Sequence, residues 1–225
     1  MSDASQTAYL PGDPRHGLQG EALKDYYRNK PAQWAIYCWD RPGADDERRA
    51  SLKAQKAHVK KFGERVIGYG HFLSDDGSKT LGTSFFVQLD DRKAADAFMA
   101  HEPMRKAFVY QRVEMHRWSN SFGKRQADYH RKGLQQFLCT GPKTGAPELF
   151  RAHLHAHESY FASYGDSFIF RGPIRSADGG DNIGTALLLE LPDRAAADAF
   201  WNNEPFAKNG GYQHDARIIR WVFGD

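Results

Sequence analysis

GTALLLELPDRAAADAFWNNEPF, residues 184–206, sets an apolar β-rich run against an Ala-rich helical segment that opens on Asp193 and ends in a Glu-Pro step. Residues 82–104, GTSFFVQLDDRKAADAFMAHEPM, say the same thing 102 residues earlier. Self-similarity at a fixed spacing marks a duplicated unit and has to be settled before any local reading. Working outward, the same shift lays Arg49 on Arg151, Gly63 on Gly165, Gly70 on Gly172 and Asp76-Gly77 on Asp178-Gly179. Copy one therefore spans 32–120 and copy two 134–225. The polar segment 121–133 links them, and residues 1–31 form an N-terminal arm.

Each copy carries the same element pattern. WAIYCWD and QQFLCT are short β-rich runs, and the segments 45–62 and 147–164 have helical spacing and end at Gly63 and Gly165, read as helix C-caps. RVIGYGHF and SFIFRGPI read as second strands, followed by Asp-Gly turns and the third strands TSFFVQL and TALLLEL. Asp91 and Asp193 cap the Ala-rich helices, and VEMHRW and ARIIRW close the units. The order βαββαβ implies an α+β fold of two tandem ferredoxin-like units. An antiparallel sheet with both helices on one face must bury its other face, so the two copies are expected to pack as an intramolecular pseudo-dimeric α/β barrel.

Composition bounds the function classes. Among 225 residues, 31 Lys and Arg stand against 28 Asp and Glu, and the formal charge is +3. The charges are interleaved, so the basic stripe of a nucleic-acid binder is missing. No run approaches the length of a membrane span, and the first residues lack an apolar core, which gives a cytoplasmic protein as the expectation. Cys38 and Cys139 sit at matching places inside apolar runs and read as buried hydrophobes. In the arm, Glu21 to Arg28 reads as a short helix, and Tyr9, Tyr26 and Tyr27 could cover an apolar groove.

The segments RAHLHAHESYFASYG, FRGPIRSADGG and GTALLLELPDRAAADAFWNNEPF together resemble the YciI-like (YCII-related) family, and WDRPGADDERRASLKAQ, YGHFLSDDG and HEPM carry the resemblance into copy one. The likeness runs from about residue 33 to the end. It implies the dimeric α/β barrel and a His–carboxylate pair acting as general acid and base. A dehydrochlorinase of chlorinated hydroxyhydroquinone is among the family members with an activity.

The resemblance places the catalytic His at His157 and the family's carboxylate at Glu204, one methylene longer than the usual Asp. A His moves protons near neutral pH, and a carboxylate partner fixes its tautomer. The bland alternative is that Glu204 only caps a turn and His157 fills a polar spot. Copy one has Gln55 in place of the His, which cannot take a proton, with Glu102 at the carboxylate position. His71 stands where copy two has Pro173, and could reach a pocket from another wall. Arg49 and Arg151 occupy the family's Arg position, as an anion-binding fork or as partners of their own helices. Asp40 follows the first strand, where copy two shows Thr140-Gly141-Pro142. Gly172, Pro173 and Thr185 complete the expected substrate-binding set, and Phe168, Phe170, Tyr160 and Trp201 are candidates for an apolar lining.

His153 and His157, at i and i+4, share a helix face, but no motif supplies a third ligand, so no metal is expected. No Gly-rich phosphate loop, nucleophile elbow or paired-Cys motif occurs, and no cofactor is expected. The reading that results is a cofactor-independent enzyme. It would perform elimination, dehydrohalogenation or isomerisation on a small oxygenated, aromatic-derived metabolite, with copy two catalytic and a further homodimer open. The alternative is a non-catalytic small-molecule-binding or scaffold protein.

Overall fold

Eight antiparallel strands close into one barrel in the order β1-β3-β2-β8-β5-β7-β6-β4. The computed structural model describes residues 12–225, so Tyr9 lies outside it. Helix α1 (Gly20–Arg28) precedes β1 (Gln33–Asp40), α2 (Asp45–Lys60), β2 (Val66–Leu73), β3 (Thr80–Gln88), α3 (Arg92–Ala100), the single turn α4 (Pro103–Lys106) and β4 (Tyr110–Trp118). The order then recurs as β5 (Gln135–Pro142), α5 (Pro147–Ser163), β6 (Phe168–Arg175), β7 (Asn182–Leu191), α6 (Arg194–Asn203), α7 (Pro205–Lys208) and β8 (Arg217–Phe223). Among the described residues no helix is long and apolar enough to cross a membrane.

The local signals act as their chemistry dictates. Asp91 and Asp193 accept the backbone N–H of Ala94 and Ala196 at 2.7 and 2.8 Å, capping α3 and α6. Gly63, Gly77 and Gly179 adopt the left-handed conformation that their turns need. Gly165 does not, and the cap residues themselves are Lys61 and Tyr164, so neither glycine holds the C-cap position expected of it.

Strand pairing corrects the alignment of the halves. Gln88 pairs with Gln33, and its equivalent Glu190 pairs with Gln136, so β1 maps onto β5 with a shift of 136 − 33 = 103. Trp118 and Trp221, opposite those two glutamines, show the same 103 between β4 and β8. Cys139 is thus the counterpart of Ile36, not of Cys38, and Cys38 matches Gly141. At the strand end, Asp40 pairs with Tyr110 as Lys143 bridges Tyr212, which makes Lys143 the counterpart of Asp40.

Three large apolar clusters and a small one around Met104 hold the molecule. The barrel interior is shared by both halves and holds Tyr37, Phe72, Phe86, Trp118, Phe170 and Trp221 among others. The indole of Trp118 donates to the carbonyls of Gly172 and Ala186, and that of Trp221 donates to Ser84 Oγ, so each half bonds the other's strands. Outside the barrel, one cluster lies between β1–β4 and their helices, and a second between β5–β8 and theirs. The seams are short: β2 pairs with β8 over four positions, and β4 pairs with β6 through Arg117–Arg175 and Trp118–Ile174. Gly172 lies beside the second seam, where an added Cβ would stand 1.8 Å from the Ser119 carbonyl.

Candidate active site

Glu204 ends α6 and begins α7, and it is fully buried. Its Oε2 accepts the backbone N–H of Ala207 at 2.8 Å, satisfying a free donor at the start of α7. Its Oε1 lies 2.6 Å from Nδ1 of His157 on α5. The capping role and the His–carboxylate role are therefore one geometry. The cap fixes the carboxylate, and the carboxylate fixes the ring so that Nδ1 carries the proton and Nε2 is left as an acceptor.

The imidazole is held on both flanks. Its centroid lies 4.1 Å from the rings of Phe206 and Phe161, nearly parallel to the first. It is 17% exposed, and that exposure opens on a cavity of about 480 Å³ between α5, the outer face of β5–β8 and the N-terminal arm. Gly172, Pro173 and Thr185, read from the sequence as substrate-binding, line this cavity with Leu154, Leu187 and Tyr212. Its aromatic wall is Phe161, Phe206, Tyr27 and Tyr212, not the expected residues. Phe168 and Trp201 are buried under the helices, Phe170 points into the barrel, and Tyr160 donates its hydroxyl to the Phe200 carbonyl.

Arg151 is correctly placed on α5 but turns away, paired with Glu148 at the surface, and Arg49 pairs with Asp46 in the same way on α2. Neither lines the cavity. Its cations come from residues that the motif reading passed over: Arg171 and Arg175 on β6, Lys143 after β5, and Arg15 and Lys30 of the arm. Burial pushes the Arg171 guanidinium below its usual range, with Glu158 pulling back, and leaves its Nε without a hydrogen-bond partner. Burial, with Arg175 adding to it and Glu204 opposing, pushes the Lys143 ammonium down to about 8. Strand alternation is the signal that could have found them. Arg171 and Lys143 share the helix-facing side with Leu187 and Cys139.

The arm, with Ser119, Asn120 and Ser121, supplies the remaining wall. Tyr27 lies under the Arg175 guanidinium at 3.5 Å, Arg28 pairs with Asp178 at 2.8 Å and Lys24 with Asp181 at 3.0 Å. Tyr26 does not line the cavity. Arg15 is held by Asp13 at 2.6 Å.

In the first half the same positions are filled. Gln55 is fully buried, donates to Glu102 at 2.7 Å and to Tyr110 at 2.8 Å, and accepts from the Tyr69 hydroxyl at 2.8 Å. Tyr69 stands at the position of Arg171, so a phenol plugs what in the second half is open space. Burial raises the Glu102 carboxyl despite these bonds. Arg48, at the position of Phe150, grips Asp40 at 2.5 and 2.6 Å and reaches Thr83 at 3.1 Å and His71 Nδ1 at 3.4 Å. Burial, then Arg48 and Lys56, push His71 down to about 4, so it is neutral and enclosed rather than a second proton carrier. Asp40, Gln55, His71 and Glu102 are thus brought together in the first half and lie apart from the cavity.

Among the described residues no group of three His, Cys, Asp or Glu side chains is placed to hold a metal ion. His157, through Nε2, is the one imidazole on the cavity wall.

Neither a family model nor a curated protein matches the sequence. Solved structures do. A chlorite dismutase from Candidatus Nitrospira defluvii aligns over 90% of this chain and 96% of its own, at 10% identity and a TM-score of 0.57. A heme-binding protein from Thermus thermophilus aligns over 86% and 92%, at 11% identity and a TM-score of 0.55. The 5-chloro-2-hydroxyhydroquinone dehydrochlorinase from Burkholderia phenoliruptrix covers 40% of this chain and 95% of its own, at 20% identity and a TM-score of 0.37. With the proteins that align along nearly its whole length, the chain shares the eight-stranded α+β architecture of the dimeric α/β barrel.

Proposed function

We propose that the protein is an enzyme that moves a proton on a small, oxygenated, aromatic-derived metabolite, in an elimination, dehydrohalogenation or isomerisation. The observation that carries this reading is His157, its Nδ1 held by buried Glu204 and its ring turned to a cavity with polar and aromatic walls. Nε2 takes a proton from the substrate, Glu204 steadies the imidazolium that forms, and Nε2 returns the proton to a leaving group or a second carbon. Arg171 and Lys143 face the negative charge that develops on the substrate oxygen. Each half is read as a ferredoxin-like unit of YciI-like descent, with chemistry confined to the second. A homodimer of the whole chain would form through helices or loops, since the barrel leaves no strand edge open.

The test is turnover across a panel of halogenated and hydroxylated quinols. His157→Gln should cost on the order of 10²–10⁴ in rate with folding intact. Unchanged turnover in that variant overturns the proposal, and ligand binding without turnover in the wild type would mark a non-catalytic binder.

A second reading draws on the same imidazole. A histidine with a carboxylate behind it and an open Nε2 is also a donor set that suits haem iron. Haem is what the Thermus thermophilus neighbour is described as binding. Here His157 and the cations Arg171, Arg175 and Lys143 would hold the group, and Glu204 would set the orientation of His157. Bound there, haem would supply one-electron and oxygen chemistry. Haemin titration separates the readings: a Soret band that His157→Ala abolishes supports this one, and no band in the wild type removes it.

A further inference from the structure

The cavity wall is a sequence of stacked groups with a cation at each end. Lys143 Nζ lies 4.2 Å from the Phe150 ring and 6.0 Å from that of Phe206, Phe206 stacks on His157, His157 packs on Phe161, and Phe161 lies 5.0 Å from the Arg171 guanidinium. His157 therefore sits between the two cations. Lys143 N–H bonds to Ile183 on β7 and Arg171 pairs with Leu187, four residues further on. That separation is about 13 Å along the strand direction, and the two long side chains shorten it inside the cavity.

Neither cation has a carboxylate in salt-bridge contact among the described residues, and Glu204, which acts on Lys143 through space, is already bonded to His157 and Ala207. The acids on the wall are Asp13, engaged by Arg15, and Glu158 at the exposed rim beside Arg171. A half-buried cation without a carboxylate is costly, and an anion supplied by a ligand removes that cost. One cation would call for one acidic group. Two, on either side of the proton acceptor, call for a molecule with an acidic group at each end.

We propose that the ligand of this cavity is a small dianion, a dicarboxylate or a carboxylate with a phenolate or enolate. One acidic group would lie on Arg171, the other on Lys143, and the carbon between them over His157. The inference deepens the proton-transfer reading by naming the substrate class, and rests on that reading only for what happens after binding.

Isothermal titration of the full chain with terephthalate, benzoate, terephthalamide and the linear dicarboxylates of four to eight carbons tests it. At least one dianion should bind about tenfold or more tighter than benzoate, and terephthalamide should not bind. Arg171→Gln and Lys143→Met should each bring the best dianion down to the level of the monoanion, with Arg171→Lys recovering part of the loss. His157→Gln should lower the affinity less than either cation variant does. Equal binding of diamide and dianion, unchanged affinity in both cation variants, or no binding by any dianion overturns the proposal. Retained dianion binding beside unaffected turnover in His157→Gln would overturn only the proton step.

Discussion

Glu114 and Arg217 occupy equivalent positions in the two halves of the barrel, and they are bonded to each other, Oε2 to Nη2 at 2.8 Å. Both follow the 103-residue shift that relates β4 to β8. A site and its own counterpart meet in this way only at the pseudo-twofold axis, so the pair marks where the two halves turn about each other. The Trp39 indole also donates to Glu114, at 2.7 Å.

The pair is half-buried, so breaking it should cost more than a surface ion pair does. Either Glu114→Arg or Arg217→Glu alone should lower stability by about 1–3 kcal/mol in urea unfolding. The doubly reversed chain should recover at least half of the larger loss, because the axis lets the two charges exchange places. Additive losses in the double variant would show that the two side chains do not depend on each other.

Acid should weaken the fold through His71 of the first half. His71 is neutral in the fold, with its pKa down at about 4 against about 6.5 in the unfolded chain. Its contribution is present above 6.5 and is lost as pH falls toward 4, because the unfolded chain takes up the proton first. His71→Gln should flatten the stability loss between pH 6.5 and 4, by on the order of 2 kcal/mol at the lower end. Thermal melts across that window measure it.

Gln55→Leu should destabilise by about 2–4 kcal/mol, since it strips Glu102, Tyr69 and Tyr110 of a shared partner inside the core. Gln55→His restores the side chain found in the second half but not the space around it, because Tyr69 and Arg48 still fill the site. It should add no second active site, and a doubling of turnover per chain would contradict that.

Gly172→Ala should be severely destabilising, by about 3 kcal/mol or more, since its methyl would meet the Ser119 backbone. Gly165→Ala should be neutral or gain up to about 1 kcal/mol, because nothing lies within 4 Å and its backbone is one that alanine adopts. Matched melts of the two variants distinguish a packing glycine from a merely permissive one.

Affinity for an anion should fall as pH rises through about 8, where Lys143 loses its charge beside Arg175 and Glu204. Lys143→Arg should remove that dependence, since a guanidinium stays charged. Titrations at pH 7 and 9 read this directly. His157 faces the same cavity, so the variant comparison, rather than the wild-type profile alone, assigns the effect.

Much of the architecture was legible because duplicated residues do the same job twice. Asp91 and Asp193 cap, Glu102 and Glu204 cap and hold a buried partner, and Gly70 and Gly172 leave room at the seams. His157 and Glu204 were legible for the same reason, as one difference in an otherwise repeated frame. What stayed hidden was whatever broke the repeat. Lys143 escaped because the second half has one residue fewer between β5 and α5 than the first has between β1 and α2, which displaces it from Asp40 in a fixed-shift comparison. Arg171 escaped because a strand residue beside a bulge shows its face only once the pairing is known. The arm was legible as a short helix whose tyrosines could cover a groove, but its ion pairs with Asp178 and Asp181 escaped because it has no counterpart in the repeat and they join residues some 150 positions apart.

That solitary arm has a bearing on how such a molecule can change over generations. In a barrel assembled from two identical chains, every altered codon appears at both sites, so an improvement in one is imposed on the other. Here Asp40 and Lys143, Tyr69 and Arg171, and Gln55 and His157 are written separately. One side was free to become a strut while its twin kept an opening, and a single amino-terminal extension could grow over that opening alone.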